Sequence, residues 1–231
     1  MKYSIIVPVY KEKNNIPQLI KSVSYELNKH QIKFELIIID DDSNDGSIEE
    51  YNKSKNINSK FIIRKKKPRD LSKSVLLGIK ISKFDNIIVM DGDLQHNPIE
   101  IIKLINLFIK SKNDLVIASR KFDKLRTSLS FTRIIASKTL IVLFNFMFNL
   151  KVVDPMSGFF IVKKKIIKKN EKKLFKKGYK ILADILTVDK KIKYSELFIN
   201  FKKRKFNKSK MNLRILIILI QFLIKRLFQK I

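Results

Sequence analysis

Residues 87–93 read IIVMDGD, an apolar run that stops at two aspartates separated by a single glycine. The earlier stretch at 34–42, FELIIIDDD, has the same form. Short apolar runs that end at turn residues are typical of strands covered on both faces, as the strands of parallel sheets are. The two stretches therefore predict buried parallel strands that carry carboxylates at their carboxyl ends.

The first half of the chain continues this alternation outward from the two stretches. Further strand-like runs lie at 3–9, 61–63 and 115–118, and apolar residues recur at helical spacing in 16–27, 71–81 and 99–109. Strands that alternate with helices of this length favour an α/β fold, with a mostly parallel, Rossmann-like sheet covered by helices on both faces. Because no Gly/Ser/Pro-rich linker interrupts the pattern, we expect residues 1–210 to form one domain.

Polar side chains cluster directly after the predicted strands. They are Tyr10 and Glu12, residues 40–45, residues 91–95 and Arg120. Ligands of open α/β sheets bind beyond the carboxyl ends of the strands, so we expect these clusters to form one site. The carboxylates of Asp91 and Asp93, with the amide oxygen of Gln95, suit a hard cation such as Mg²⁺ or Mn²⁺. A simple turn is the alternative for this motif and for residues 40–42.

The chain carries a large excess of positive charge. Its 231 residues include 50 Lys and Arg against 21 Asp and Glu, a formal net charge of +29. Residues 124–231 hold 28 of the basic residues and only five acidic ones, which a uniformly Lys-rich composition does not explain. The excess indicates an anionic partner, either a phosphate compound, an acidic membrane surface or nucleic acid. Nucleic-acid binding gives no reason for carboxylate clusters at strand ends, so we expect no nucleic acid partner.

Several kinds of site are excluded by what the sequence lacks. It has no cysteine and two histidines, which excludes disulfides, thiolate metal sites and multi-histidine zinc sites. The glycine-rich dinucleotide and P-loop phosphate motifs do not occur. No apolar run reaches the roughly 18–20 residues of a transmembrane helix, and the N-terminus leads directly into a strand. We therefore expect neither a membrane span nor a secretory signal.

Two apolar stretches in the basic half indicate contact with a membrane surface. We expect an interfacial helix at about 129–150 and a C-terminal amphipathic helix at 211–231, with apolar cores too short to cross a bilayer. Helices of this kind lie among lipid headgroups beside basic residues, which predicts a peripheral protein on the cytoplasmic face of a membrane. The alternative is that both are ordinary core helices.

Seven motifs occur in the order found in a known enzyme family. They are VPVYKE at 7–12, DDDSNDGS at 40–47, LSKSV at 71–75, DGDLQH at 91–96, DPMSGF at 154–159, GYKIL at 178–182, and Arg204 followed by Ser209 and Lys210. In this combination the sequence resembles the family 2 inverting glycosyltransferases of GT-A fold, and it is most similar to the polyprenyl (dolichyl) phosphate mannosyltransferases. Asp70 and Asn207 stand where that family usually has glycine, so we expect altered loop geometry at both positions.

The resemblance implies roles for individual residues. The base and ribose of a sugar nucleotide would contact Pro8, Tyr10, Glu12, Ile39 and Asp41. The donor diphosphate would be bound through Mg²⁺ or Mn²⁺ on Asp91, Asp93 and Gln95, beside Gly92, and directly by Arg120, Arg204 and Lys210. The acceptor phosphate would contact Arg120, Arg133 and Ser137. The residues implied to support catalysis are Asp93, Arg120, Arg133, Arg204 and Lys210.

The implied reaction transfers mannose from GDP-mannose to a polyprenyl phosphate lipid, with a divalent metal and with inversion at the anomeric carbon. A phosphate acceptor is already ionised at neutral pH, so the reaction needs charge neutralisation and alignment rather than a general base. The alternatives are UDP-glucose as donor to the same lipid, or a saccharide acceptor, whose hydroxyl would need a base such as Asp154 or Asp184. A basic nucleic-acid-binding protein is the most remote alternative.

Overall fold

The computed structural model describes residues 1–120, 131–178, 180–200 and 221–226, and for residues 131–138 it describes the backbone alone. The described strands are β1 (Lys2–Val9), β2 (Lys33–Asp40), β3 (Ser59–Ile63), β4 (Asn86–Val89), β5 (Leu115–Arg120), β6 (Phe160–Lys163) and β7 (Tyr194–Ile199). The described helices are α1 (Ile16–Lys29), α2 (Ser47–Ser54), α3 (Leu71–Ile81), α4 (Ile99–Ser111), α5 (Phe131–Phe148), α6 (Lys164–Asn170) and α7 (Ile181–Val188).

The strands form one sheet in the order β3-β2-β1-β4-β6-β5-β7. Strands β1, β2, β3 and β4 pair in parallel, as do β5 and β7. Only β6, among the described strands, runs antiparallel to its neighbours, and it lies between β4 and β5. The predicted mostly parallel sheet is confirmed, and the antiparallel insertion is a feature that the strand pattern of the first half did not indicate.

The insertion of β6 has a direct consequence for the edge of the sheet. Its first residue, Phe160, lies opposite Val89 near the end of β4 and opposite Ile117 in β5. The segment that precedes it, residues 154–159, therefore lies beside the carboxyl ends of both neighbouring strands. Two of the predicted polar clusters thus share one neighbour in the structure.

The core consists of two apolar layers, one on each face of the sheet. On one face α1 and α4 cover Ile5 and Val7 of β1, while on the other α3 and α7 cover Ile6. This alternation follows from the two-residue period of side chains along a strand. Helix α3 approaches β1 so closely at Gly78 that an added Cβ would lie 2.5 Å from the side chain of Ile6. The predicted cover of helices on both faces is confirmed.

Helix α5 lies where an interfacial helix was predicted, but its apolar residues are not restricted to one side. Phe144 and Phe148 are buried in a third apolar cluster. On the remaining surface Val142, Leu143 and Phe146 are exposed, Phe146 to 85%. An exposed apolar surface on an apolar helix is unusual for a residue stretch that packs only within its own chain.

The described part of the C-terminal segment is a short helical turn, and the predicted membrane-surface helix at 211–231 stays a prediction. Residues 221–226 are helical, and Phe222 and Leu223 are buried in the same cluster as Phe144 and Phe148 of α5. Phe222 and Leu223 therefore pack against α5 and α7, whereas Ile224 of the same turn is 48% exposed. Within the described residues, no helix combines the length and the hydropathy needed to span a bilayer.

Candidate active site

Three of the predicted polar clusters meet around Val9, the last residue of β1. The backbone N–H of Asp41 donates to the carbonyl oxygen of Val9 at 2.9 Å. On the other side, a Cβ added to Gly92 would lie 2.7 Å from Val9 Cγ1, so the DGD loop packs directly on the end of β1. The backbone N–H of Lys11 donates to Ser43 Oγ at 2.8 Å. The ends of β1, β2 and β4 thus form one continuous polar edge, as the sequence predicts.

Tyr10 presents an aromatic face at this edge, and Arg69, which was not among the predicted site residues, covers it. The Arg69 guanidinium lies 4.7 Å from the centre of the Tyr10 ring, within cation–π range. Its Nε donates to the carbonyl of Asp41 at 3.2 Å, and its Nη2 to that of Asp42 at 3.0 Å. Arginine is rare in this Lys-rich chain, and that scarcity was the signal that could have identified Arg69.

The other residues predicted to contact the nucleotide are mostly buried. Asp41 is 5% exposed, forms an ion pair with Arg64 and accepts the backbone N–H of Asp70 at 2.6 Å. Burial raises the pKa of Asp41, although the Asp70 hydrogen bond and the charge of Arg64 oppose the rise. The side chain of Ile39 lies entirely in the core, and Glu12 is buried and accepts Asn15 Nδ2 at 2.6 Å. Pro8 is buried as well. Asp41 therefore holds the loop before α3 against the site.

Asp70 stands where the family usually has glycine, and its side chain forms hydrogen bonds that a glycine could not make. Its φ of −162° is extended, and its carboxylate caps α3 by accepting Lys73 N–H at 3.1 Å. The same carboxylate accepts Gly178 N–H at 2.7 Å, and Ser72 Oγ donates to Gly178 O at 2.7 Å. In place of the expected altered loop geometry, the Asp70 side chain forms a clamp that holds Gly178 at this edge.

The predicted cation ligands have unequal exposure. The side chain of Asp91 is 37% exposed, whereas Asp93 is only 4% exposed and accepts the backbone N–H of Gln95 at 3.1 Å. Within the described ranges, no group of three or more His, Cys, Asp or Glu side chains is placed to hold a metal ion. Two carboxylates and one amide nevertheless fit Mg²⁺ or Mn²⁺, because such ions are usually held by one or two carboxylates together with substrate phosphates and water.

Arg120 is held beside these carboxylates by a buried partner. Its Nε and Nη2 donate to the two carboxylate oxygens of Asp154 at 2.7 and 3.3 Å, and Asp154 is fully buried. Burial lowers the pKa of Arg120, but the charges of Asp154 and Asp91 outweigh it and raise the pKa overall. The guanidinium is therefore a permanent cation with a fixed orientation, within electrostatic reach of Asp91.

Lys180, in the GYKIL motif, is a second cation in the electrostatic environment of Arg120, and no role was predicted for it. Burial and repulsion from Arg120 lower the pKa of Lys180 to about 8, against the attraction of Asp154 and Asp91. Lys180, Arg120 and Asp91 consequently share one electrostatic environment.

The two aspartates considered as bases for a hydroxyl acceptor are both engaged inside the protein. Asp154 is paired with Arg120, as described above. Asp184 is 3% exposed, forms an ion pair with Arg226 and accepts the backbone N–H of Phe175 at 2.7 Å and of Lys176 at 3.1 Å. A general base must reach a proton on its substrate, so this burial does not fit the role for either residue.

Part of the predicted site lies outside the described residues. This holds for Arg204, Lys210 and Asn207, and for the side chains of Arg133 and Ser137, although the backbone of those two residues belongs to α5. Their predicted contacts with phosphate stay predictions.

Among known proteins, the chain is similar in sequence to two dolichol-phosphate mannosyltransferases. The chain is 34% identical to a dolichol-phosphate mannosyltransferase of Pyrococcus furiosus over 91% of its own length, and it spans 59% of that protein. It is 31% identical to the dolichol-phosphate mannosyltransferase of Saccharomyces cerevisiae, covering 96% of this chain and 85% of the yeast protein.

Among solved structures, the fold is similar to that of glucosyl-3-phosphoglycerate synthase from Mycobacterium tuberculosis in complex with Mn²⁺, UDP-glucose and phosphoglyceric acid. The TM-score is 0.75 at 15% identity, over 99% of this chain and 79% of that one. At this identity the likeness concerns the fold alone, and it confirms the GT-A expectation. Residues 4–170 match glycosyl transferase family 2. With this match over most of its length, and with carboxylates and a fixed arginine at the carboxyl edge of a GT-A sheet, the chain belongs to glycosyl transferase family 2.

Proposed function

We propose that this glycosyltransferase transfers mannose from GDP-mannose to a polyprenyl phosphate, with Mg²⁺ or Mn²⁺ and with inversion. The observation that carries the proposal is that segment 154–159 contacts both groups, since Asp154 binds the Arg120 guanidinium and Gly158 lies against the Asp91 carboxylate. This segment brings an anion-binding guanidinium and a carboxylate that can hold a cation to one edge. A transfer between two phosphate compounds requires both. The choice of mannose and of a polyprenyl lipid rests on the names of the two mannosyltransferases to which the chain is similar.

The proposal gives roles to the aromatic, basic and acidic groups of the edge. The Tyr10 face and Arg69 bind the base and ribose end of the donor, while Asp91, Asp93 and Gln95 hold the divalent ion. When bound, the ion neutralises charge on the leaving diphosphate. Arg120 binds phosphate and keeps the orientation that Asp154 gives it, so little rearrangement is needed when a second anion arrives.

The burial of Asp154 and Asp184 in ion pairs favours a phosphate acceptor, which needs no general base. A polyprenyl phosphate oxygen is ionised at neutral pH and attacks the anomeric carbon directly, so the protein only has to align two anions and reduce their repulsion. A single displacement inverts the anomeric configuration. A saccharide acceptor fits less well, because Asp154 and Asp184 are buried in ion pairs.

The test is a transfer assay with purified protein, Mg²⁺ or Mn²⁺, a polyprenyl phosphate and a panel of sugar nucleotides. We expect a lipid-linked mannose from GDP-mannose, formed only with a divalent ion and with the anomeric configuration opposite to that of the donor. Glucose transfer from UDP-glucose to the same lipid would show that the proposed donor is wrong and that the proposed acceptor is right. Transfer to a saccharide without lipid would overturn the proposed acceptor.

A lysine at position 120 tests the phosphate role without breaking the buried pair completely. Arg120→Ala would leave Asp154 buried without a cation, whereas Arg120→Lys keeps one positive charge but loses the planar bidentate contact. We expect Arg120→Lys to fold and to lose about tenfold or more in transfer, read as a higher KM for the lipid phosphate.

Arg133→Ala should weaken lipid use more than donor binding. Unchanged kinetics in both variants would place the acceptor elsewhere.

The exposed side of α5 supports the proposed contact with an anionic membrane surface. Val142, Leu143 and Phe146 form an apolar surface on this helix, in a half of the chain with a large positive charge. Apolar insertion and attraction to anionic lipids add together in peripheral binding. We therefore propose α5 as the main site of peripheral attachment on the cytoplasmic face, because Phe222 and Leu223 of the described C-terminal turn are buried.

The variant Phe146→Glu tests this attachment because its side chain is 85% exposed and its replacement costs little folding free energy. We expect clearly less sedimentation with anionic liposomes at low salt, and weaker transfer to lipid in a bilayer than to lipid in detergent. Ile57→Glu is the matched control, since Ile57 is 99% exposed and directly precedes β3. Strand β3 is the outermost strand on the side of the sheet away from β7. Equal liposome binding by both variants would contradict the assignment to α5.

A further inference from the structure

We propose that Gly158 is a positioning residue for Asp91, and that the lack of a side chain at position 158 determines how well the site holds its divalent ion. This inference rests on the proposed metal role of Asp91 and adds a residue outside the expected ligand set. A Cβ added to Gly158 would lie 2.5 Å from Asp91 Oδ1 and 2.7 Å from Asp91 Cγ. The carboxylate therefore packs directly on the backbone of residue 158.

The need for glycine at this position is one of space. Gly158 does not have the positive φ that only glycine adopts easily, whereas Gly46 and Gly178 do. The backbone conformation at position 158 therefore suits alanine as well as glycine. Any destabilisation by an added methyl group comes from steric contact with neighbouring atoms. The neighbour nearest to it is the Asp91 carboxylate.

The backbone around Gly158 is anchored, so it cannot easily move away from an added methyl group. Ser157 Oγ donates to Ala118 O at 2.7 Å, and Phe159 N–H donates to Ser157 Oγ at 3.1 Å. Phe160 then enters β6 between β4 and β5. The Asp91 side chain, which is 37% exposed, is therefore the group that an added methyl would displace.

A second contact of the same segment limits Asp91 from another direction. His96 is 2% exposed, and its ring centre lies 4.7 Å from that of Phe159. His96 Nε2 lies 3.6 Å from Asp91 Oδ2. The carboxylate thus lies between the backbone of residue 158 and an imidazole held by residue 159. This arrangement reduces the rotamer freedom that Asp91 would otherwise lose on binding a cation.

The experiment is a Mn²⁺ titration of Gly158→Ala and the wild-type protein, in the presence of GDP or UDP, with bound Mn²⁺ measured by electron paramagnetic resonance. We expect the variant to bind Mn²⁺ about 10–100-fold more weakly, as is usual when a group that orients a metal ligand is changed. Gly78→Ala is the matched control. Its Cβ would lie 2.5 Å from Ile6 in the core, so it should lower the unfolding temperature and leave Mn²⁺ affinity unchanged.

A double-mutant cycle keeps the proposal testable if Gly158→Ala folds poorly. When Asp91 is replaced by alanine, the clash disappears, so adding Gly158→Ala should no longer lower the unfolding temperature. Equal destabilisation in both backgrounds would overturn the inference, as would wild-type Mn²⁺ affinity in Gly158→Ala. A wild-type protein that binds no Mn²⁺ with either nucleotide would instead contradict the metal role on which the inference rests.

Discussion

Replacing Asp93 by asparagine should lower glycosyl transfer by about a hundredfold or more while leaving the fold intact. A metal that neutralises transition-state charge contributes several kcal/mol, and each 1.36 kcal/mol corresponds to about tenfold in rate. Asparagine keeps an oxygen that can accept the Gln95 N–H, so the loop itself should not change. Its neutral amide, however, binds a divalent ion poorly. The measurement is the transfer rate at saturating Mg²⁺ or Mn²⁺, with a thermal melt.

The matched control is Asp114→Asn, which removes the same charge directly before β5. This position lies at the amino ends of the parallel strands, away from the site at their carboxyl ends. Asp114 forms a partly exposed ion pair with Lys163, and pairs of this kind contribute about 0–1 kcal/mol. We expect the control to retain transfer. If Asp93→Asn keeps the wild-type rate at saturating metal, the DGD loop is not the cation site.

Replacing Arg226 by alanine should lower the free energy of unfolding by about 3–5 kcal/mol, because it leaves a buried carboxylate without its cation. Both side chains of the Arg226–Asp184 pair are only 5% exposed, and Arg226 also lies 5.9 Å from the centre of the Phe222 ring. For a chain of this size the loss corresponds to a fall in unfolding temperature of about 10 °C. Thermal and denaturant unfolding measure it directly.

Two variants separate this effect from a loss of surface charge. Lys225→Ala removes the neighbouring positive charge from an exposed position, so it should change stability little. Since each variant removes one positive charge, Lys225→Ala should lower binding to anionic membranes about as much as Arg226→Ala does. Adding Asp184→Asn to Arg226→Ala should recover much of the lost stability, since neither charge then remains buried alone. A stable Arg226→Ala protein would contradict the role of the C-terminal turn in the fold.

This pair also decides how the membrane contact should be tested. Deleting residues 213–231 would remove Arg226 together with Phe222 and Leu223, all of which are buried. A truncated protein that no longer transfers to lipid would therefore report on folding as much as on attachment. Point variants on the exposed side of α5 avoid that ambiguity, because Val142, Leu143 and Phe146 contribute little to the buried cluster.

The sequence by itself determined the strands and most of the helices of the first half of the chain, and the edge at which the site forms. The runs at 34–42 and 87–93 became β2 and β4, with Asp41, Asp91 and Asp93 beyond their ends. Helix α3 has the predicted bounds, and α4 extends two residues further than predicted, to Ser111. These features could be predicted because strand and helix periodicity, and the placement of polar residues after buried strands, are local properties of the chain.

Only the tertiary structure decided which side chains hold the site residues in place. Gly158 lies under Asp91 and Asp154 binds Arg120, and both contacts exist because β6 enters the sheet antiparallel between β4 and β5. The contact of Asp70 with Gly178 and that of Asp184 with Arg226 likewise join segments distant in sequence. Such contacts depend on strand order and on which helix faces meet, and a pattern of neighbouring residues carries no information on either. The chemistry of the edge could therefore be predicted from local sequence, whereas its preorganisation came from long-range packing.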